Sequence, residues 1–207
     1  MMAEAIVVTA ARVRRVVQED LGDLKAYRVP DPTTLAARSH KQVALIARDA
    51  VPISLVYAAT ISFGGVSQPQ VRLRAVNRVD QGLGLPLPAG AVALFERQGG
   101  RELLIGESFT DDKAVGEEVE FKLHPTSNVT LEQRALSTAR GKRSFELILR
   151  NANPFSIRFE GDFDIDEAAV RNPSNRLARK NGRNLWATSV PANGTATLRY
   201  TVIAADR

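Results

Sequence analysis

The sequence predicts an all-β protein, an antiparallel β-sandwich or barrel-like fold formed as one compact unit or as two packed β lobes, with at most short helices. Three observations predict it. Apolar and polar residues alternate with period two through most of the 207 residues, the pattern of strands that bury one face. Turn-forming clusters separate these runs at roughly 8 to 12 residue intervals. Helical periods of roughly 10 to 15 residues, which an α/β protein would place between strands, are scarce.

Residues 1–23 form an N-terminal segment, helical or extended, with Ala5 to Gln18 as its helix candidate. A β-rich domain is expected over 24–207, with a seam near 111–116 if it divides into two lobes. Its early strands are predicted at Leu24 to Val29, Lys41 to Arg48 and Ile53 to Ala59. Next, Val71, Leu73 and Ala75 alternate with Arg72, Arg74 and Val76, an apolar face backed by cations directed into water. Ala91 to Arg97 and Arg101 to Gly106 flank Gln98-Gly99-Gly100, a hairpin signal. Val119, Phe121 and Leu123 alternate with Glu118, Glu120 and Lys122, and Asn128 to Arg134 follows. Phe145, Leu147 and Leu149 make a further inward face, as do Phe155, Ile157 and Phe159. Asn184 to Val190 leads through Asn193-Gly194, the sharpest turn signal, into the alternation Ala196, Leu198, Tyr200, Val202. Between the last two groups, Asp166 to Arg171 is the second short helix candidate. Glu167 to Arg183, rich in Pro, Asn and cations, reads as a long surface loop.

Composition narrows the chemistry. There is no cysteine, so disulfides, thiolate metal sites and thiol nucleophiles are excluded together. The net charge of +5 comes from 28 basic and 23 acidic residues, with 22 Arg against 6 Lys, a skew that a GC-rich genome explains without phosphate recognition. Aromatic residues make up 6%, and cations are not interleaved with them as in a nucleic-acid interface. Nucleic acid is therefore not the expected partner. No run approaches the roughly 20 apolar residues of a membrane-spanning helix.

Metal and catalytic motifs are equally sparse. The two histidines, His40 and His124, cannot assemble a zinc site or a Ser-His-Asp triad with any recognisable partner. Gly82-Leu83-Gly84 begins like a phosphate loop but runs into Pro86 and Pro88 with no helix to follow. Asp162, Asp164 and Asp166 stand at every second position and are the candidate Ca²⁺ ligands, although the EF-hand spacing fails. Among acids, Glu160, Asp162 and Asp164 are the candidates if the chain is an enzyme acting on envelope carbohydrate. Arg171, Arg176, Arg179, Lys180 and Arg183 form a basic stretch that could grip an anionic polymer, with binding that weakens as salt rises. No cofactor is expected.

One segment carries a family resemblance. Leu83-Gly84-Leu85-Pro86-Leu87-Pro88-Ala89-Gly90, continuing through Val92 and Phe95 to Leu104-Ile105-Gly106-Glu107, resembles the bacterial domain of unknown function that forms the C-terminal half of mucoidy inhibitor A-like proteins. In that resemblance Asn77 ends a strand, Leu87 to Gly90 form the loop, and Gly99-Gly100 the hairpin. Arg150-Asn151-Ala152-Asn153 matches a strand-ending Arg-Asn segment, and Trp186, Asn193-Gly194 and Leu198 to Val202 match the closing hairpin. The structural positions it singles out are Asn77, Pro86, Pro88, Gly90, Gly106, Asn151, Trp186 and Gly194. The likeness spans roughly Tyr27 to Ile203 and lacks the family's long N-terminal half. It implies no catalytic residue and no cofactor. The expected function is a non-catalytic interaction or structural module whose partner is another protein or an envelope component. The expected location is the periplasm or cell envelope if the chain derives from a longer precursor, and the cytoplasm if Met1 is the native start.

Overall fold

The period-two alternation becomes strands almost wherever it occurs. A computed structural model describes residues 17–21, 24–28, 37–38, 46–48, 50–139, 141–166 and 169–203. The chain divides into two compact units, Met1–Ala50 and Val51–Arg207. In the first, β1 (Val17–Leu21) and β2 (Leu24–Arg28) form an antiparallel hairpin with Leu21 opposite Leu24. Val17 and Gln18 are thus extended, which corrects the helix expected to reach Gln18; the rest of that helix lies outside the described residues. The strand expected over Lys41 to Arg48 falls mostly outside them too, and 46–48 carry no strand.

The second unit holds β3 (Ser54–Ser62), β4 (Gly65–Val66), β5 (Gln70–Val76), β6 (Gly90–Gln98), β7 (Arg101–Thr110), β8 (Glu118–Pro125), β9 (Val129–Ala139), β10 (Lys142–Asn151), β11 (Ile157–Phe163), β12 (Val170–Arg171), β13 (Ala178–Lys180), β14 (Arg183–Val190) and β15 (Thr195–Ile203). One sheet runs β13-β14-β11-β3-β5-β8, with β4 added beside β3; the other runs β12-β15-β10-β9. Among the described residues all strand pairings are antiparallel except β3 with β11, which run parallel. These two sheets form the expected sandwich. The pair β6-β7 is a separate two-stranded ribbon, in which Gly99 and Gly100, at φ of 57° and 79°, supply the left-handed backbone of a two-residue turn.

Between the sheets Tyr57, Ile61, Phe159, Phe163 and Trp186 from the first meet Phe145, Leu147, Leu149, Leu198 and Tyr200 from the second, all buried. Phe163 stands edge-on to Tyr200 with centroids 5.1 Å apart, and Phe159 edge-on to Trp186 at 5.6 Å, the offset geometry that ring quadrupoles favour. Burial pushes the Tyr200 hydroxyl pKa upward, partly offset by its hydrogen bond from Gln133.

Two expectations are corrected here. Val170–Arg171 pairs with Val202 and Thr201 of β15, so the end of the predicted helix Asp166 to Arg171 is extended. The predicted loop Glu167 to Arg183 contains that strand and β13 as well. Asn181 and Gly182, at φ of 51° and 78°, turn β13 directly into β14 with Lys180 opposite Arg183.

Candidate functional site

The larger sheet curls until its two ends touch. β13 and β8 are the first and last strands in its order, yet Lys180 Nζ lies 2.6 Å from Glu118 Oε1. The side of the sheet that faces away from the sandwich core is therefore concave. Its floor is built from small residues: Val56 and Ala58 of β3 alternate with the core residues Tyr57 and Ala59, and both are 1% exposed. The register places Arg72 beside Val56 and Glu160 beside Ala58. Long side chains lying over short ones exclude water along their stems while their charged ends meet.

Those ends form one network. Arg74 donates from Nη1 to Glu160 Oε1 at 2.7 Å and from Nη2 to Glu160 Oε2 at 2.9 Å and Glu120 Oε2 at 2.8 Å. Its Nε is 3.1 Å from Glu118. Arg72 donates from Nη1 to Glu120 Oε1 at 3.1 Å and lies 3.9 Å from Asp162. The Arg74 side chain is 10% exposed and that of Glu160 14%. Burial alone would lower the arginine pKa, but its hydrogen bonds to Glu160 and Glu120 outweigh it and raise the value above its ordinary one. For Glu120 and Glu160 burial pushes upward, and the bonds from Arg74 with the nearby Arg72, Lys180 and Arg158 charges outweigh it, so both end below the usual carboxylate value.

Beside the network the curl encloses an open cleft of about 460 Å³. Arg72 and Asp162 lie on its floor, Glu118 and Glu120 on one wall, Lys180 and Asn181 on the other, and Lys113 and Glu117 at its rim. The rim is set by Asn77, which is fully buried at the end of β5. Its Nδ2 donates to Leu85 O at 2.7 Å and Ala114 O at 2.9 Å, and its Oδ1 accepts from Gly84 N–H at 2.9 Å. Leu87, between Pro86 and Pro88, exchanges both backbone hydrogen bonds with Lys113. The proline-stiffened stretch thus braces the segment that carries Lys113 and Glu117.

The other predicted structural positions are spread through the second unit. Asn151 ties the β10–β11 and β14–β15 connections together, donating to Phe155 O and Pro191 O at 2.9 Å each and accepting from Asn153 N–H at 3.0 Å. Gly194 packs on Pro191, where a side chain's first carbon would fall 2.6 Å from the ring, and Gly106 packs on Leu123 at the same separation. Gly90 opens β6 in open space, and Trp186 is a core residue.

The five predicted basic residues do not share a surface. Arg171 is on β12 in the smaller sheet, where it bonds Val170 O. Lys180 bridges to Glu118, Arg183 sits 3.1 Å from Asp164, and Arg179 also has a partner. Arg176 is exposed. The three aspartates are likewise divided: Asp162 faces Arg72, Asp164 faces Arg183, and Asp166 has its own interaction. Among the described residues no group of three or more His, Asp or Glu converges as metal ligands would.

Sequence reasoning takes Arg72 and Arg74 as cations facing water and overlooks Glu118 and Glu120. The structure corrects this, because the curl carries both arginines under cover. A signal was present: two strands each show a same-sign pair at period two, Arg72/Arg74 and Glu118/Glu120, which become complementary when β5 and β8 pair.

No family model matches the chain. No curated protein matches it either. Among solved structures it is similar to the folded domain of the Mycobacterium tuberculosis LppM protein, at 10% identity and a TM-score of 0.30, over 80% of this chain and 97% of that one. Among the described residues no helix is long and apolar enough to cross a membrane.

Proposed function

We propose that this chain is a non-catalytic interaction module of the bacterial cell envelope that receives its ligand in the charged cleft of the curled sheet. The observation that carries the reading is the cleft itself, about 460 Å³ and lined by Arg72, Lys113 and Lys180 together with Glu117, Glu118, Glu120 and Asp162. A general acid at neutral pH needs a carboxyl raised toward that pH. Glu120 and Glu160 move the other way and stay charged, and Arg74 is held more firmly protonated. Groups held in this way stay ionised at neutral pH. Of the three acids a carbohydrate-cleaving reading would use, Glu160 is held by two bonds from Arg74, Asp162 lies 3.9 Å from Arg72 and Asp164 3.1 Å from Arg183. The reading of the basic stretch as a polymer grip is disfavoured because Lys180 and Arg183 already face acids. The envelope assignment rests on the resemblance to the C-terminal domain of mucoidy inhibitor A-like proteins, whose members often look exported.

The test combines location with turnover. Fractionation of the source organism is expected to recover the protein with the envelope, and recovery in the cytosol would overturn that assignment. Low-molecular-weight envelope extract added to labelled protein is expected to shift amide resonances of 113–118 and 180–182 in a saturable way. The extract's own spectrum should stay constant over days; steady consumption of any component would overturn the non-catalytic reading.

A further inference from the structure

The cleft presents both signs of charge, and its floor holds an incomplete pair. Three cations, Arg72, Lys113 and Lys180, line it together with four carboxylates, Glu117, Glu118, Glu120 and Asp162. Some of these already hold partners: Glu118 accepts from Lys180, Glu120 from Arg72 and Arg74, and Glu117 Oε2 accepts Ala114 N–H at 2.8 Å. Arg72 is only partly engaged. Among the described residues its guanidinium bonds only through Nη1, and its Nε is buried with no hydrogen-bond partner. A buried donor without an acceptor is uncommon and costs stability. Asp162, 3.9 Å from Arg72, is close enough for attraction and too far for a hydrogen bond. The Arg72 Nε is closed to solvent, so a ligand reaches the guanidinium through its Nη groups, which stand beside the Asp162 carboxylate without a hydrogen bond between them.

A purely anionic ligand would satisfy Arg72 and be repelled by Asp162 and Glu117; a purely cationic one would meet the reverse. From this we infer that the cleft takes a small zwitterion of the α-amino acid or short-peptide class, its carboxylate on Arg72 and Lys113 and its ammonium on Asp162. The Arg72 guanidinium and the Lys113 ammonium offer a carboxylate charge-assisted hydrogen bonds from two sides. The volume of about 460 Å³ is within the range of small-molecule sites. This inference rests on the cleft being the binding site, and the experiment separates failure of the two.

Labelled protein is titrated with glycylglycine, N-acetylglycylglycine and glycylglycinamide, following the Arg72 Nε–H resonance and the 113–118 amides. Glycylglycine is expected to shift them saturably, and each blocked form should bind weaker by about tenfold or more, the effect of losing one charge-assisted bond. Arg72→Lys, which keeps the charge and loses the fork, should weaken glycylglycine, and so should Asp162→Asn at the more exposed partner; urea unfolding of both variants confirms that they fold. Saturable binding of the acetylated form at undiminished strength would overturn the zwitterion and leave the cleft as a binding site. Absence of a saturable shift with all three peptides would overturn the zwitterion assignment; if the envelope extract also left 113–118 and 180–182 unmoved, the cleft reading would fall with it.

Discussion

The two outward faces of this protein use the same residue types to opposite effect. On the larger sheet, Arg74 and Glu160 pair with side chains 10% and 14% exposed. On the smaller, Arg134 and Glu132 make an equally short contact, 2.7 Å, with side chains 52% and 48% exposed. Sheet curvature accounts for the difference. Where Lys180 draws β13 toward β8, the outer face becomes an interior and its charges lose water; β9, at the free end of the other sheet, keeps its charges in solvent. Ion pairing carries structural weight only where separation of the pair would strand a charge away from water.

The largest test of this contrast is Arg74→Met. It leaves Glu118, Glu120 and Glu160 grouped without their shared cation, and it should cost about 3 kcal/mol in urea unfolding, the lower end for a broken buried pair because Glu118 retains solvent access. Replacing both Arg74 and Glu160 by Met should recover part of that loss, since a buried pair exchanged for apolar groups is often neutral. Equal stability of wild type and Arg74→Met would place this face with ordinary solvated ones.

A smaller effect is expected with acid. Glu120 and Glu160 have folded values below the ordinary 4.5, so ν, the bound protons, is greater in the unfolded chain near that pH. Their contribution is complete above the ordinary value and declines as pH falls from there through the lowered values. Urea midpoints measured downward from pH 6 should begin to drop below about pH 4.5, and the Arg74→Met protein should show a shallower acid limb. A limb of unchanged steepness in that variant would assign acid sensitivity to other carboxylates.

Much of the fold was legible because its signals are local. Alternation within a strand and the Gly99-Gly100 or Asn193-Gly194 turns need no knowledge of distant residues. β4 and β12, at two residues each, are too short to show a period, and they exist because a longer neighbour offers a backbone edge. β13 is a different case. Its Asn181-Gly182 turn is a hairpin signal of the same type as Asn193-Gly194, obscured by the surrounding cations that make the stretch read as a solvated loop. The candidate site was the least legible part. Arg72 and Arg74 look the same in sequence as any solvated strand face, and only the register with β8 and β11, together with curvature, tells where they lie. Asn77 and Asn151 were visible as strand-ending positions, but not the distant carbonyls they serve, those of Ala114 and Pro191, 37 and 40 residues away.

The smallest effect is the sharpest. Glu132 also has a lowered pKa, caused by its hydrogen bonds from Arg134, so the two faces resemble each other in titration. They should differ in stability. Glu132 and Arg134 are two residues apart and side by side in any extended chain, whereas Arg74 and Glu160 are 86 residues apart and meet only on folding. A shift present in both folded and unfolded states contributes nothing to the difference between them. Arg134→Ala should therefore return Glu132 toward its ordinary value while leaving the urea midpoint unchanged. Carboxyl titration by NMR should find Glu132 lowered in the native and the urea-unfolded chain, and Glu160 lowered only in the native one. An unfolded Glu132 at its ordinary value would mean that the exposed pair, too, is made by the fold, and the contrast between the two faces would then rest on burial alone.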